Sequence, residues 1–202
     1  MAGSRLVLFD FDGTITIADT MFLFTKFAVG TPRFIFGLSV LALPLVLHKL
    51  KLVSAQKAKE IFLSHFFSGT EKTKFDELGK NFSEKNIPGF VRPAALDAIN
   101  NYKKSGCRII VVSASAENWM ATWCANNGLE VLATRLEVVD GKITGRIAGN
   151  NCNSEEKVNR IKEKVNLADY AEIIVYGDTS GDLPMLALAT EKHFKPFRDK
   201  RA

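Results

Sequence analysis

Leu6–Thr16 reads LVLFDFDGTIT: four apolar residues, two acids one residue apart, then a glycine. An unbroken apolar run bounded by such a break suits a short strand buried on both faces, and it puts Asp10 and Asp12 at the strand's carboxyl end. Alternate residues of an extended chain point to one side, so both carboxylates face the same space. The ending recurs twice downstream. Arg108 to Val112 (RIIVV) is an apolar strand that runs into Ser113, with Ser115 as a competing hydroxyl. Glu172 to Tyr176 (EIIVY) runs straight into Gly177–Asp182 (GDTSGD). Ligands of an open α/β sheet bind outside the carboxyl ends of its strands, so Asp10, Asp12, Ser113, Asp178 and Asp182 are expected in one crevice.

Between these strands the pattern alternates as a parallel sheet with crossover helices requires. Helices are expected over 94–104, closed by Gly106, and over 117–127, closed by Gly128. A strand is expected over 129–133, and a hairpin over 136–147 about Asp140-Gly141, a pair that supports the positive φ of a tight turn. Ser154 is expected to cap the next helix, which carries Lys157. From Thr20 to about Phe90 the texture changes. Eleven of the 15 phenylalanines fall there (22, 24, 27, 34, 36, 62, 66, 67, 75, 82, 90), at spacings such as 62, 66, 67 that mark a small helical subdomain. Aromatics at helical spacing usually form core; the functional alternative is a hydrophobic substrate surface.

The chain is 202 residues long, 47% hydrophobic and 24% charged, enough for one domain with an inserted subdomain and too ordinary for disorder. Its net charge of +5 is mild and dispersed, which argues against a nucleic-acid partner. The basic residues nevertheless bunch: Thr20 to Lys59 contains no acid but holds Lys26, Arg33, Lys49, Lys51, Lys57 and Lys59. Inside it, residues 34–47 (FIFGLSVLALPLVL) are uncharged, shorter than the roughly 20 residues a span needs and interrupted by Pro44. A buried or interfacial helix is expected there, and with basic flanks it suits peripheral contact with an anionic membrane surface. Cys107, Cys124 and Cys152 suit free thiols, the three histidines are scattered, and no secretory leader is evident, so the expected location is cytoplasmic, at most peripheral at the inner membrane face.

Four carboxylates in one crevice repel one another and call for a cation, and hard oxygen ligands favour Mg2+. Magnesium beside an ionised carboxylate suits phosphoryl transfer, with the carboxylate as nucleophile and a second acid two residues on as proton shuttle.

On these motifs the chain resembles the haloacid dehalogenase (HAD) superfamily of phosphohydrolases, subfamily IB, whose members include phosphoserine phosphatases with a helical cap. The resemblance implies a Rossmann-like α/β core with a parallel sheet over residues 1–16 and 91–202, and a helical cap over 17–90. It implies Asp10 as nucleophile and Asp12 as general acid/base whose carbonyl also ligates magnesium. Ser113 and Lys157 would hold the phosphoryl oxygens, Thr14 would touch phosphate, and Asp178 would be a metal ligand with Asp182 a nearby ligand or supporting acid. Lys162 and Lys164 compete with Lys157 on the same helix. The acid at Asp12 favours phosphatase over dehalogenase. The substrate is left to the cap: Asp19 stands near the place of the acid that holds the amine in phosphoserine phosphatases, but no arginine occurs between Arg33 and Arg92 to grip a carboxylate. The chain is also similar to phosphatidylglycerophosphatases, which carry a long apolar cap segment and act on a lipid phosphomonoester. A phosphotransferase would use the same residues, and a non-catalytic magnesium- or lipid-binding protein is the remote alternative.

Overall fold

In a computed structural model, residues 4–50 and 52–198 are described, and Lys51 of the acid-free stretch lies outside them, as do the side chain of Lys49 and both ends of the expected core. β1 (Arg5–Phe9) is the middle of a five-stranded parallel sheet. It pairs with β3 (Arg108–Ala116) on one side and β7 (Glu172–Gly177) on the other; β4 (Glu130–Thr134) and β8 (Glu191–Phe194) form the edges. Phe9 is level with both Val111 and Tyr176, so β1 and β7 end together while β3 runs on beside them. The period-2 alternation of β1 divides the core: Leu6 and Leu8 pack with Ile110, Val112 and Val175, whereas Val7 and Phe9 pack with Val111, Tyr176 and Trp119. Both faces are buried, hence the unbroken apolar run.

Two crossover helices, α6 (Pro93–Lys104) and α8 (Glu155–Lys164), match the expected positions. Several boundaries move. β3 continues past Ser113 to Ala116 with a register shift between those two residues, so Ser113 lies inside the strand. The helix expected over 117–127 breaks at Met120 into a 3-10 turn, Glu117–Trp119, and a short α7 (Ala121–Asn126). Ser154 holds the position before α8, but at φ 53° its side chain makes no capping bond. α9 is only Leu183–Leu186.

The helices α1 (Thr20–Val29), α2 (Thr31–Val40), α3 (Ala42–Lys49), α4 (Ala55–Phe67) and α5 (Lys72–Lys85) form the insertion after β1. Its centre is aromatic. The Phe24 ring lies 4.9 to 5.6 Å from those of Trp119, Phe67, Phe75 and Phe82, so most of the phenylalanine surplus is core. Residues 34–47 are the exception. The expected single helix is broken at Leu41, and its surface is not buried: Ile35, Phe36, Val40, Leu43 and Val46 are 52–68% exposed.

A second sheet joins the insertion to the core. β2 (Thr70–Glu71) pairs with β6 (Lys142–Ile147), which forms the expected hairpin with β5 (Leu136–Val139). α4 lies on β6 so closely that a Cβ on Gly145 would meet the Ser64 backbone at 2.3 Å.

Candidate active site

The strand ends converge as the sheet order requires. Asp10 leaves β1 with its amide bonded to the Tyr176 carbonyl, and Asp12 and Gly13 turn the chain back beneath Asp178. Gly13 has φ 81°, and a Cβ there would sit 2.5 Å from Asp178 Oδ2, so glycine is required twice over. Asp10, Asp12, Asp182 and Lys157 line one cavity of about 140 Å3 with Asp19, Lys59 and Ser115.

Lys157 is buried, and its Nζ donates to Asp10 Oδ1 at 2.5 Å and to Asp182 Oδ1 at 2.6 Å. Burial alone would lower its pKa; the two carboxylates outweigh that and hold the ammonium charged. Asp10 responds oppositely: desolvation raises its pKa from 3.8 to about 7 against the pull of Lys157. Asp182 stays ionised because Lys157 outweighs its own desolvation. Its other oxygen accepts from the Asp178 amide and from both the Thr179 amide and hydroxyl. With both oxygens occupied, Asp182 braces the loop that carries Asp178. Desolvation, then the Asp182 charge, raise the Asp178 pKa, opposed by Arg198.

Asp12 is oriented by two donors, the Thr20 amide at 2.7 Å on Oδ1 and the Ser115 hydroxyl at 2.6 Å on Oδ2. Thr20 Oγ1 lies 3.1 Å from Ser115 Oγ and accepts from Trp119 Nε1 at 3.2 Å. Ser113 is fully buried, and its Oγ accepts from the Ser115 amide at 3.0 Å. The strand continuing past Ser113 therefore brings the second hydroxyl, Ser115, to the cavity wall. Thr14 is buried and donates to Asp178 Oδ1 at 3.4 Å, the weak end of hydrogen-bond range. Asp19 caps α1, accepting from the Met21 amide at 2.9 Å, and also lines the cavity.

Two contributors were not singled out from the sequence. Lys59, counted only within the basic stretch, reaches from α4 to the core and donates to Ala114 O at 2.6 Å and Asn151 Oδ1 at 2.9 Å. The signal was there: Lys59, Phe62, Leu63 and Phe66 follow the spacing of one helix face, so a lysine sits on a buried stripe. Arg198, whose Nη2 donates to Asp178 Oδ2 at 2.8 Å, had no local signal.

The donor set fits the magnesium expected from the sequence. Asp10, Asp178 and Asp182 each have a carboxylate oxygen within 4.8 Å of the others, all three residues buried; Asp182 has both oxygens engaged by Lys157 and the Asp178–Thr179 loop, which leaves Asp10 and Asp178 to hold the ion.

Known proteins resemble the chain over nearly its whole length. The chain is 35% identical over 199 residues to Protein CicA of Caulobacter vibrioides, covering 98% of this chain and 88% of that one. A solved structure of a Bordetella pertussis Tohama I protein of unknown function superposes with a TM-score of 0.82 at 25% identity, covering 95% of this chain and 89% of that one. A substrate-bound phosphoserine phosphatase complex shares the fold at 22% identity and a TM-score of 0.66, covering 96% of this chain and 87% of that one. The model of the haloacid dehalogenase-like hydrolases runs from residue 7 to residue 187, and the chain belongs to that family.

Proposed function

We propose that the protein is a magnesium-dependent phosphatase that hydrolyses a phosphate monoester through an aspartyl phosphate on Asp10. The observation that carries this is the buried Asp10–Lys157–Asp182 chain beside Asp12, on the wall of a cavity that can take a phosphoryl group. The Asp10 carboxylate attacks phosphorus, the ester P–O bond breaks, and Asp12 gives a proton to the departing oxygen. Asp12 then takes a proton from water, which attacks the aspartyl phosphate and releases inorganic phosphate. Lys157 offsets charge on the nucleophile and the phosphoryl oxygens, helped by the hydroxyls of β3; Ser113 is the candidate implied by the family, and Ser115 is the one that lines the cavity. Asp10, the Asp12 carbonyl and Asp178 would hold magnesium, which when bound neutralises charge on the transferring group.

For the substrate we favour a lipid phosphomonoester, such as phosphatidylglycerophosphate, with the helical insertion as a cap resting on anionic lipid. The support is the exposed apolar face of α2 and α3, flanked by exposed Lys26, Arg33 and Lys57. A soluble, phosphoserine-like substrate is the second reading. Asp19 and Lys59 favour it, since they place opposite charges on the wall of one cavity.

The test is magnesium-dependent phosphate release from phosphatidylglycerophosphate in mixed micelles and from phosphoserine in solution, with Asp10→Asn as blank. Release from the lipid alone is expected. Release from phosphoserine alone would establish the second reading, and activity retained in Asp10→Asn would sink the nucleophile.

A further inference from the structure

Beside the small cavity lies an open depression of about 760 Å3 that shares Asp12, Asp19 and Thr179 with it. Its wall carries two guanidiniums from segments far apart in the chain, Arg92 just before α6 and Arg198 just beyond β8. We propose that Arg92 and Arg198 form a subsite for a second oxyanion, a phosphodiester or a carboxylate, carried on the leaving-group side of the substrate. This rests on the phosphatase reading in one respect: Asp12 marks the departing oxygen. Asp12 lines both spaces, so an ester group that departs beside it has the neighbouring depression directly open to it.

The charges in that space are unevenly committed. Its carboxylates already have donors: Asp12 from Thr20 and Ser115, Asp178 from Thr14 and Arg198, Asp19 from the Met21 amide. The arginines have donors to spare. Among the described residues Arg92 makes one long contact, Nη1 to Phe197 O at 3.4 Å, and its Nε is buried without a partner. The half-buried Arg92 guanidinium therefore keeps terminal donors for an acceptor, and the planar fork of arginine matches two oxygens of one anion. Arg198 uses one nitrogen on Asp178, and its side chain remains 44% exposed.

Both residues stand on fixed backbone. The segment before Arg92 is clipped to the loop after β1 by Ile17 N to Phe90 O and Arg92 N to Ile15 O, each 2.8 Å. Arg198 follows Phe197, whose ring stacks 5.1 Å from Tyr176, in a turn where Lys195 and Phe197 both hold left-handed φ values of 54° and 58°. Non-glycine residues adopt that region only where their surroundings impose it.

The experiment compares kcat/KM for dihexanoyl phosphatidylglycerophosphate, phosphoserine and p-nitrophenyl phosphate, the last carrying no second anion, in wild type and in Arg92→Gln/Arg198→Gln. The expected result is a fall of about tenfold or more in the ratio of the anion-bearing to the anion-free substrate. Whether the phosphodiester or the carboxylate substrate shows the fall identifies the group. A ratio that stays within about twofold in the double variant overturns the subsite, because it means the arginines only hold Asp178 and the chain end. Should the double variant fail to fold, Arg198→Gln alone, at an exposed side chain, is judged by the same ratio. Calorimetric binding of glycerophosphoglycerol and of phosphoglycolate to Asp10→Asn separates this proposal from the activity. Binding of either one weakened about tenfold by the arginine changes keeps the subsite even if no monoester is hydrolysed, and no binding of either at millimolar concentration overturns it.

Discussion

Asp10 shows how one side chain can be both the centre of the chemistry and a cost to the fold. With no bound ion, native Asp10 keeps its proton up to about pH 7, whereas the unfolded chain gives it up near 3.8. Between those values the unfolded state binds fewer protons, so each rise in pH through this window weakens the native state, and above pH 7 the full penalty is present. That penalty is at most about 4 kcal/mol. Metal-free Asp10→Asn should therefore melt at higher temperature than wild type at pH 7.5, with the gap closing toward pH 4. Magnesium at pH 7.5 should raise the wild-type melting temperature and leave the variant nearly unmoved. Equal melting temperatures for the two metal-free proteins at pH 7.5 would remove the buried-charge account. At this scale the sequence was informative wherever a residue's role follows from its place at a strand end: Asp10, Asp12 and Asp178 are where the apolar runs put them. Lys157 was preferred over Lys162 and Lys164 on the family resemblance, and the fold buries it while leaving the other two exposed on α8. Ser113 was preferred over Ser115, but a register shift between Ser113 and Ala116, which no local pattern marks, puts Ser115 on the cavity wall.

Among the elements, the contact of α4 with β6 is the most demanding. Gly145 has φ 81°, and a side chain there would strike the Ser64 backbone, which cannot rotate away. Gly149 has the same φ with nothing within 4 Å, so it reports backbone strain alone. Gly149→Ala should cost about 1 kcal/mol and Gly145→Ala about 3 kcal/mol, measured by urea unfolding. Similar losses at both sites would mean that the close approach contributes nothing. The parallel strands and crossover helices were legible because each signal is local: an apolar run, a closing glycine, an Asp-Gly turn. The two-residue β2 was not, since no local pattern marks a pair of residues whose partners lie more than 70 positions away. The break at Leu41 was also missed; an apolar run without charges gives no phase from which to read where one helix stops.

For the whole molecule the question is what the apolar face of α2 and α3 meets. No helix among the described residues is long and apolar enough to cross a membrane. Phe36 and Leu43, 67% and 68% exposed, should carry much of the lipid contact. Phe36→Ser/Leu43→Ser should weaken sedimentation with anionic vesicles by about 100-fold, roughly 3 kcal/mol, without lowering the melting temperature. Vesicle binding unaffected by the pair would rule out this face as the lipid contact. The small sheet through β2 has a further bearing, on engineering. Because Thr70 and Glu71 complete a sheet begun by the hairpin, the insertion is not a cassette that can be excised or traded with a relative. Removing it bares an edge of β6 to any passing chain. Grafting in a foreign one needs a matching pair of residues to close that edge.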